Sequence, residues 1–183
     1  MPWWVPVALL VAVAIGLVLI YNSFVTWLNR VRNGWAQIDV QLKRRHDLIP
    51  NLVEVCRAYM TYERETLESL IRLRQEALRT QDTKKRQDQE TQVSQHLRQL
   101  FALAENYPQL KASENLLALQ EELASTENKI AFARQFYNDC VMEYNTRITQ
   151  FPGNLVAWLF GFRPQPFFQI ELASERAVPE VRL

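Results

Sequence analysis

The chain opens with a long apolar run. No charged side chain occurs before Arg30, and residues 3–21 are almost uniformly apolar. A helix that rises about 1.5 Å per residue crosses a hydrocarbon core of about 30 Å with about 20 such residues. The run therefore predicts a transmembrane anchor, residues 1–21, rather than a buried core helix or a cleaved signal peptide. Aromatic side chains that favour the headgroup level flank the run: Trp3, Trp4, Tyr21 and Trp27.

The rest of the chain shows helical periodicity, with apolar residues at alternating steps of three and four. The first stripe continues from the anchor to Leu42. Asp47 offers an N-cap and Pro50 fits a first turn, so a new helix is predicted to start near Leu48 after a chain reversal. Further helices are predicted over residues 48–79, 84–106 and 114–150, with a polar turn, or alternatively a basic patch, around Lys84, Lys85 and Arg86.

The last of these helices carries a strict heptad row of Leu116, Leu123, Ile130, Tyr137, Tyr144 and Phe151. Such spacing favours coiled-coil-like packing, either within the chain or between chains. With three companion helices, it predicts an all-α fold. In this prediction an N-terminal transmembrane helix is followed by an elongated antiparallel four-helix bundle over residues 22–151 and a short aromatic-rich C-terminal segment over residues 152–183.

Residues 155–168 are unusually aromatic and carry a single charge, Arg163. The segment is too short to span a bilayer. One hypothesis places it in the membrane interface, with Trp158, Phe160 and Phe162 inserted into lipid. The alternatives are that it covers the open end of the bundle or packs against a neighbouring subunit.

The composition limits the kinds of ligand and reactive site that the chain is expected to have. The 21 basic and 20 acidic residues nearly balance, which does not point to nucleic acid. Cys56 and Cys140 lack metal or redox spacing and are expected to be buried free thiols, and His46 and His96 are expected at the surface. We predict no catalytic residue, no metal site and no cofactor, although a triad assembled from distant residues stays open.

Two polar clusters stand out on the predicted helices. They admit two interpretations: intrahelical pairs, or a buried network between the first and fourth helices that sets register or an oligomer contact. One cluster consists of Asp39, Lys43 and Arg44, and the other of Glu127, Asn128, Arg134, Asn138, Asp139 and Asn145. Asp47, Pro50 and Tyr137 are predicted to be structural or interaction residues as well.

Several of these residues lie in motifs that resemble the LemA family. The stretch YNSFVTWLNRVRNGWAQIDVQLKRRHDLIPNLVE over residues 21–54 matches its opening signature. ENYPQLK over 105–111, ENKIA over 127–131 and FYND over 136–139 match its second half. Gly34 departs from the family pattern, where a bulkier residue is more usual. The resemblance implies a single-pass bacterial membrane protein with a helical cytoplasmic bundle and carries over no catalytic residue. Relatives in magnetosome-forming bacteria are associated with building internal membranes.

The sequence thus predicts a non-catalytic, membrane-anchored scaffold that self-associates and organises the bilayer. The alternative is an adaptor that recruits another envelope protein, such as a protease or a signalling receptor. Arg30 and Arg32 follow the anchor, and basic residues favour the cytoplasmic side. The expected location is the bacterial inner membrane, with the N-terminus outside and the bundle in the cytoplasm. The expected partners are the lipid bilayer, further copies of the chain and possible envelope proteins, and no nucleic acid.

Overall fold

A computed structural model describes residues 2–80 and 82–168, apart from the Thr83 side chain, and these residues form helices and connections without a β-strand. The all-α prediction is therefore confirmed, and the four-helix arrangement stays a prediction. The helices are α1 (Trp4–Arg57), α2 (Arg64–Arg79), α3 (Thr83–Ala104), α4 (Pro108–Lys111), α5 (Glu114–Thr149) and α6 (Gly153–Phe160). The predicted ends of α3 and α5 agree with these bounds to within two residues.

Helix α1 is long and apolar enough near its N-terminus to cross a membrane, and none of that apolar window is buried. The whole helix is 54 residues long, and its later part runs through Asp47 and Pro50 without a break. The predicted reversal at this point is wrong, as are the N-cap role of Asp47 and the first-turn role of Pro50. A proline inside a helix lacks the N–H that would bond the carbonyl four residues earlier, which here belongs to His46.

A remote side chain replaces that missing donor. The Arg74 Nε atom of α2 donates to the His46 carbonyl oxygen at 2.6 Å. Because a buried carbonyl without a partner costs free energy, this bond compensates for Pro50. Helix α1 consequently passes through the proline and ends seven residues later, at Arg57.

This compensation can be tested with a double-mutant cycle. Arg74→Met is expected to lower the free energy of unfolding by about 1–3 kcal/mol, because it leaves the His46 carbonyl without a donor. In a Pro50→Ala background the same substitution is expected to cost clearly less, because the N–H of residue 50 can then bond that carbonyl. Urea unfolding of the four proteins, followed by circular dichroism, measures the coupling. Equal costs of Arg74→Met in both backgrounds would contradict this account.

The described chain divides into two compact units. The unit comprising Leu42–Asn128 has a core of buried aliphatic side chains from all of its helices, including Ile49, Leu52, Leu70, Leu100 and Leu123. Cys56 lies in this core as a free thiol, and burial raises its pKa to about 11. Cys140, in the other unit, is also buried and free, so the prediction for both cysteines is confirmed.

The other unit contains the described residues up to Gln41 together with Lys129–Phe168. Here α1 packs on α5, and the buried side chains include Phe24, Val31 and Ile38. Gly34 is located where the two helices approach each other closely: a Cβ atom added there would lie 3.1 Å from the Tyr137 Cα atom. The lack of a side chain at position 34 therefore permits this close contact in this chain.

Candidate membrane interface and strap site

Helix α6 presents an exposed apolar surface. It begins at Gly153 and ends at Phe160, and the next residue, Gly161, has a positive φ of 74° that suits a residue without a side chain. Val156 and Ala157 are buried against the rest of the unit, whereas Trp158 is 84% exposed. The other large apolar side chains that stay exposed here are Phe151, Leu155, Leu159 and Phe160. A contiguous patch of this kind usually marks an interaction site.

Aromatic contacts join this helix to the end of the apolar run. The Tyr21 ring packs edge-on against Phe160 at 5.0 Å and against Phe162 at 5.5 Å between ring centroids. Phe162 also packs edge-on against Phe24 at 5.3 Å. Of the residues predicted at the membrane interface, Tyr21, Phe160 and Phe162 therefore come together, Trp158 lies on the same helix, and Trp3 and Trp4 are exposed at the start of the chain.

After α6 the chain runs without helix or strand over residues 162–168, and we call this segment the strap. Two asparagines of α5 hold its backbone. The Asn145 side chain accepts a hydrogen bond from the Gln165 N–H at 2.8 Å and donates to the Gln165 carbonyl at 2.9 Å. Asn138 makes the same pair of bonds with Phe168, at 2.8 and 3.1 Å. Each amide thus imitates the backbone partner of a β-ladder.

The spacing of the two asparagines explains the register of the strap. Seven residues of helix span about 10.5 Å, and three residues of extended chain span about 10 Å. Asn138 and Asn145 therefore match Phe168 and Gln165, and the strap runs antiparallel to α5. The two tyrosines of the heptad row add a second line of bonds: Tyr144 donates to the Arg163 carbonyl at 3.1 Å and Tyr137 donates to the Pro166 carbonyl at 2.9 Å.

The end of the strap is fixed by its last aromatic ring. Phe168 is buried, its ring lies 6.0 Å from Trp35, and the Arg134 guanidinium stands 4.6 Å from its centroid. Tyr137 packs on Trp35 from α5 at 5.5 Å. The sequence left open whether Arg134, Asn138 and Asn145 form intrahelical pairs or a network between helices; in this unit they and Tyr137 hold an extended segment.

A second cluster lies just beyond the apolar run, around Trp27. The guanidinium of Arg30 stands 4.4 Å from the Trp27 ring centroid, and that of Arg147 stands 4.9 Å from it. Arg147 also donates to the Ser23 hydroxyl at 3.3 Å and forms a long ion pair of 3.5 Å with Glu143. The ring of Trp27, predicted as an interface residue, thus makes cation–π contacts with two guanidiniums.

In the other unit, a buried ionic network surrounds Arg45. Arg45, His46 and Glu90 are each at most 1% exposed. Arg45 pairs with the carboxylates of Glu90 and Glu127, the latter at 2.6 Å, and donates to the Ser94 hydroxyl. The second oxygen of Glu90 bonds the Nε2 atom of His46 at 2.9 Å. Burial alone would raise the pKa of Glu90, but the hydrogen bond from His46 and the charge of Arg45 outweigh it and lower that pKa.

The other residues singled out in the sequence differ in burial and in their partners. The prediction that His46 is a surface residue is wrong, because Glu90 provides a buried partner for it, whereas His96 is only partly buried. Arg44 forms a 2.8 Å ion pair with Glu122, and both side chains are at least 40% exposed. Lys43, Asp47, Asn128 and Asp139 are exposed, and Asp39 is half-buried.

Sequence reasoning missed Arg45 and Glu90, although a signal was present. Arg45 continues the apolar stripe of α1 in phase, at steps of three and four between Leu42 and Ile49. Glu90 likewise precedes Val93 and Leu97 on the buried stripe of α3. Two opposite charges on the apolar faces of separate helices are the pattern expected of a buried pair.

The sequence of the chain matches a known protein family. The model of the LemA family matches residues 34–183 of the chain. This chain belongs to the LemA family. A relative called Protein LemA, from Metamycoplasma hominis, is 28% identical, and the match covers 70% of this chain and 59% of that protein.

Other members of the LemA family that resemble the chain are magnetosome proteins by name. Magnetosome protein MamQ 2 of Paramagnetospirillum magneticum is 30% identical over 82 residues, which cover 45% of this chain and 30% of that protein. Magnetosome protein MamQ of Magnetospirillum gryphiswaldense is 22% identical, with 92% of this chain and 72% of that protein covered. The chain therefore spans about a third of the length of the Paramagnetospirillum relatives it matches, and family membership together with the apolar helix indicates membrane association.

Proposed function

We propose that this protein is a non-catalytic membrane scaffold that holds one bilayer at two places and organises it through self-association. The first contact is the apolar part of α1, and the second is the exposed surface of α6. Arg30 and Arg32 after the anchor favour a cytoplasmic position for the rest of the chain in a bacterial inner membrane. The magnetosome names of the MamQ relatives are consistent with a role at membranes.

One observation carries the proposal: α6 exposes Trp158 and its apolar neighbours beside Tyr21, the aromatic residue that ends the apolar run. If the run spans the bilayer, Tyr21 lies at the headgroup level, and α6 in contact with it lies at the same level. An exposed apolar helix at that depth is stabilised by inserting its side chains into the boundary between headgroups and acyl chains.

A fluorophore attached at position 158 tests this contact. In a background without Cys56 and Cys140, Trp158→Cys labelled with an environment-sensitive dye is expected to shift to the blue in vesicles and to be quenched by lipids that carry a quencher in the upper acyl chain. Tyr62→Cys is the matched control, because Tyr62 is a 92% exposed aromatic residue of the other unit. An unshifted, unquenched dye at position 158 would show that α6 stays outside the bilayer.

Self-association is supported by a groove between α1 and α5. It is lined by exposed Val40, Phe132 and Phe136, and Lys129 is the one charged residue among its lining residues. Beside these apolar side chains the groove holds three amides and only this one charge, so a symmetric contact with a second copy brings at most one pair of like charges together. We therefore assign this surface to a second copy of the chain.

The mass of the full chain in mild detergent separates the scaffold from the adaptor. The scaffold predicts an oligomer that Phe132→Ser dissociates, with Tyr62→Ser, an exposed aromatic residue outside the groove, as the control. A monomer at every concentration that is crosslinked in cells to one different envelope protein would instead support the adaptor.

A further inference from the structure

The cluster around Trp27 has the chemistry of an anion site. Arg30 and Arg147 both stand within 5 Å of the Trp27 ring centroid, and the one carboxylate that contacts either guanidinium in the described ranges, Glu143, is 3.5 Å from Arg147 and 45% exposed. The Nε atom of Arg147 is buried and has no hydrogen-bond partner among the described residues. Two like charges thus stand at one ring with a single long ion pair to offset them, which favours a bound anion.

The position of this cluster identifies the source of the anion. Ser23 and Trp27 follow Tyr21 by two and six residues, which is about 3 and 9 Å along a helix. The headgroup layer on each side of a bilayer is about 5–8 Å thick. Side chains of a helix also tilt towards its N-terminus, so Arg30 reaches back over Trp27 in the direction of the apolar run. The Trp27 backbone is at the outer edge of this layer, and the backward tilt brings its ring and the Arg30 guanidinium, together with Ser23 and Arg147, within reach of lipid phosphates.

We infer that Ser23, Trp27, Arg30 and Arg147 form a binding site for the phosphate of an anionic phospholipid. This inference rests on the proposed membrane position of Tyr21. The planar guanidiniums match phosphate oxygens with paired N–H donors, while Trp27 holds them in place by stacking. The Ser23 hydroxyl supplies a further donor. The acyl chains of the same lipid would lie along the apolar residues of α1 and α6.

Arginine-to-lysine variants test the site because they keep the net charge. Titration of the full chain in mild detergent with phosphatidylglycerol, followed by native mass spectrometry, is expected to show about tenfold weaker binding for Arg30→Lys/Arg147→Lys. Loss of one charge-assisted pair is worth about that factor. Arg32→Lys, an exposed arginine of the same helix, is expected to bind like the wild type, and phosphatidylcholine is expected to bind weakly to all three proteins.

Other outcomes would overturn the inference. Wild-type affinity in Arg30→Lys/Arg147→Lys would mean that only surface charge attracts the lipid. Inorganic phosphate or glycerol phosphate that displaces the lipid at equal concentration would mean that the site takes a free anion. The dye at position 158 is read in the same variants: if it still enters the bilayer while lipid selectivity is unchanged, the headgroup site fails and the proposed function stands.

Discussion

Glu90→Gln is expected to lower the free energy of unfolding by about 3 kcal/mol or more, because the buried guanidinium of Arg45 then lacks the carboxylate that is buried with it. Arg45 is fully buried, and Glu90 is the partner that shares this burial, whereas the second partner, Glu127, is about a third exposed. Chemical unfolding of the full chain in detergent micelles, followed by circular dichroism, measures the loss.

Two matched variants separate this effect from a general loss of charge. Glu122→Gln removes the exposed partner of Arg44 and is expected to cost at most about 1 kcal/mol. Arg45→Met/Glu90→Leu removes both members of the buried pair and is expected to restore most of the stability. If Glu90→Gln costs no more than Glu122→Gln, the buried charge of Arg45 does not depend on Glu90.

The same pair predicts an acid sensitivity. The pKa of Glu90 is lowered in the folded protein from its ordinary value near 4.5. A lowered carboxyl pKa stabilises the folded state above the unfolded pKa, and this contribution disappears as the pH falls through the folded pKa. Wild-type stability should therefore drop below about pH 4.5, and the drop should be smaller in Glu90→Gln.

The strap is expected to detach from α5 when both of its asparagine contacts are removed. Asn138→Ala/Asn145→Ala eliminates four hydrogen bonds to the backbone of Gln165 and Phe168. At about 1 kcal/mol net for each bond, the local opening free energy falls by about 3–4 kcal/mol. The amides of the strap should then exchange hydrogen roughly 100 to 1,000 times faster, as measured by mass spectrometry of peptides covering residues 162–168.

Asn128→Ala provides the control, because Asn128 is an exposed asparagine of the same helix. It should leave exchange in the strap unchanged. Asn138→Asp adds a finer comparison: the carboxylate can still accept from the Phe168 N–H but cannot donate to the Phe168 carbonyl. Equal exchange rates in the wild type and the double alanine variant would show that the asparagines do not hold the strap.

The elements that local pattern determines were predictable. The apolar start of α1 follows from a run without charge, and α3 and α5 follow from the periodicity over residues 84–106 and 114–150. Pro50 was the exception, because its disruption is offset by Arg74, which lies 24 residues later and carries no local sign of that role. A proline predicts a helix end only where no other group satisfies the carbonyl it leaves free.

The sequence indicated several residues of the strap site but not the partners that they bind. Tyr137 and Tyr144 were recognised as a heptad row, and such rows usually face another helix. Their hydroxyl groups instead bond an extended segment about 20 to 30 residues later, a pairing between side chain and backbone that leaves no periodic trace. The burial of Arg45 was equally hidden, because charged residues are rarely buried unless paired and the partner lies on another helix.

The contact of Tyr21 with both Phe160 and Phe162 has a consequence for bilayers of different thickness. The residue that closes the apolar run also touches α6, so the depth of the second membrane contact is tied to the end of the first. When both contacts enter lipid as proposed, neither the apolar run nor α6 can change its depth alone to match a thicker bilayer. The acyl chains around the protein must instead shorten locally, at a cost of fractions of a kcal/mol per ångström, which would draw the protein towards thinner regions of the membrane.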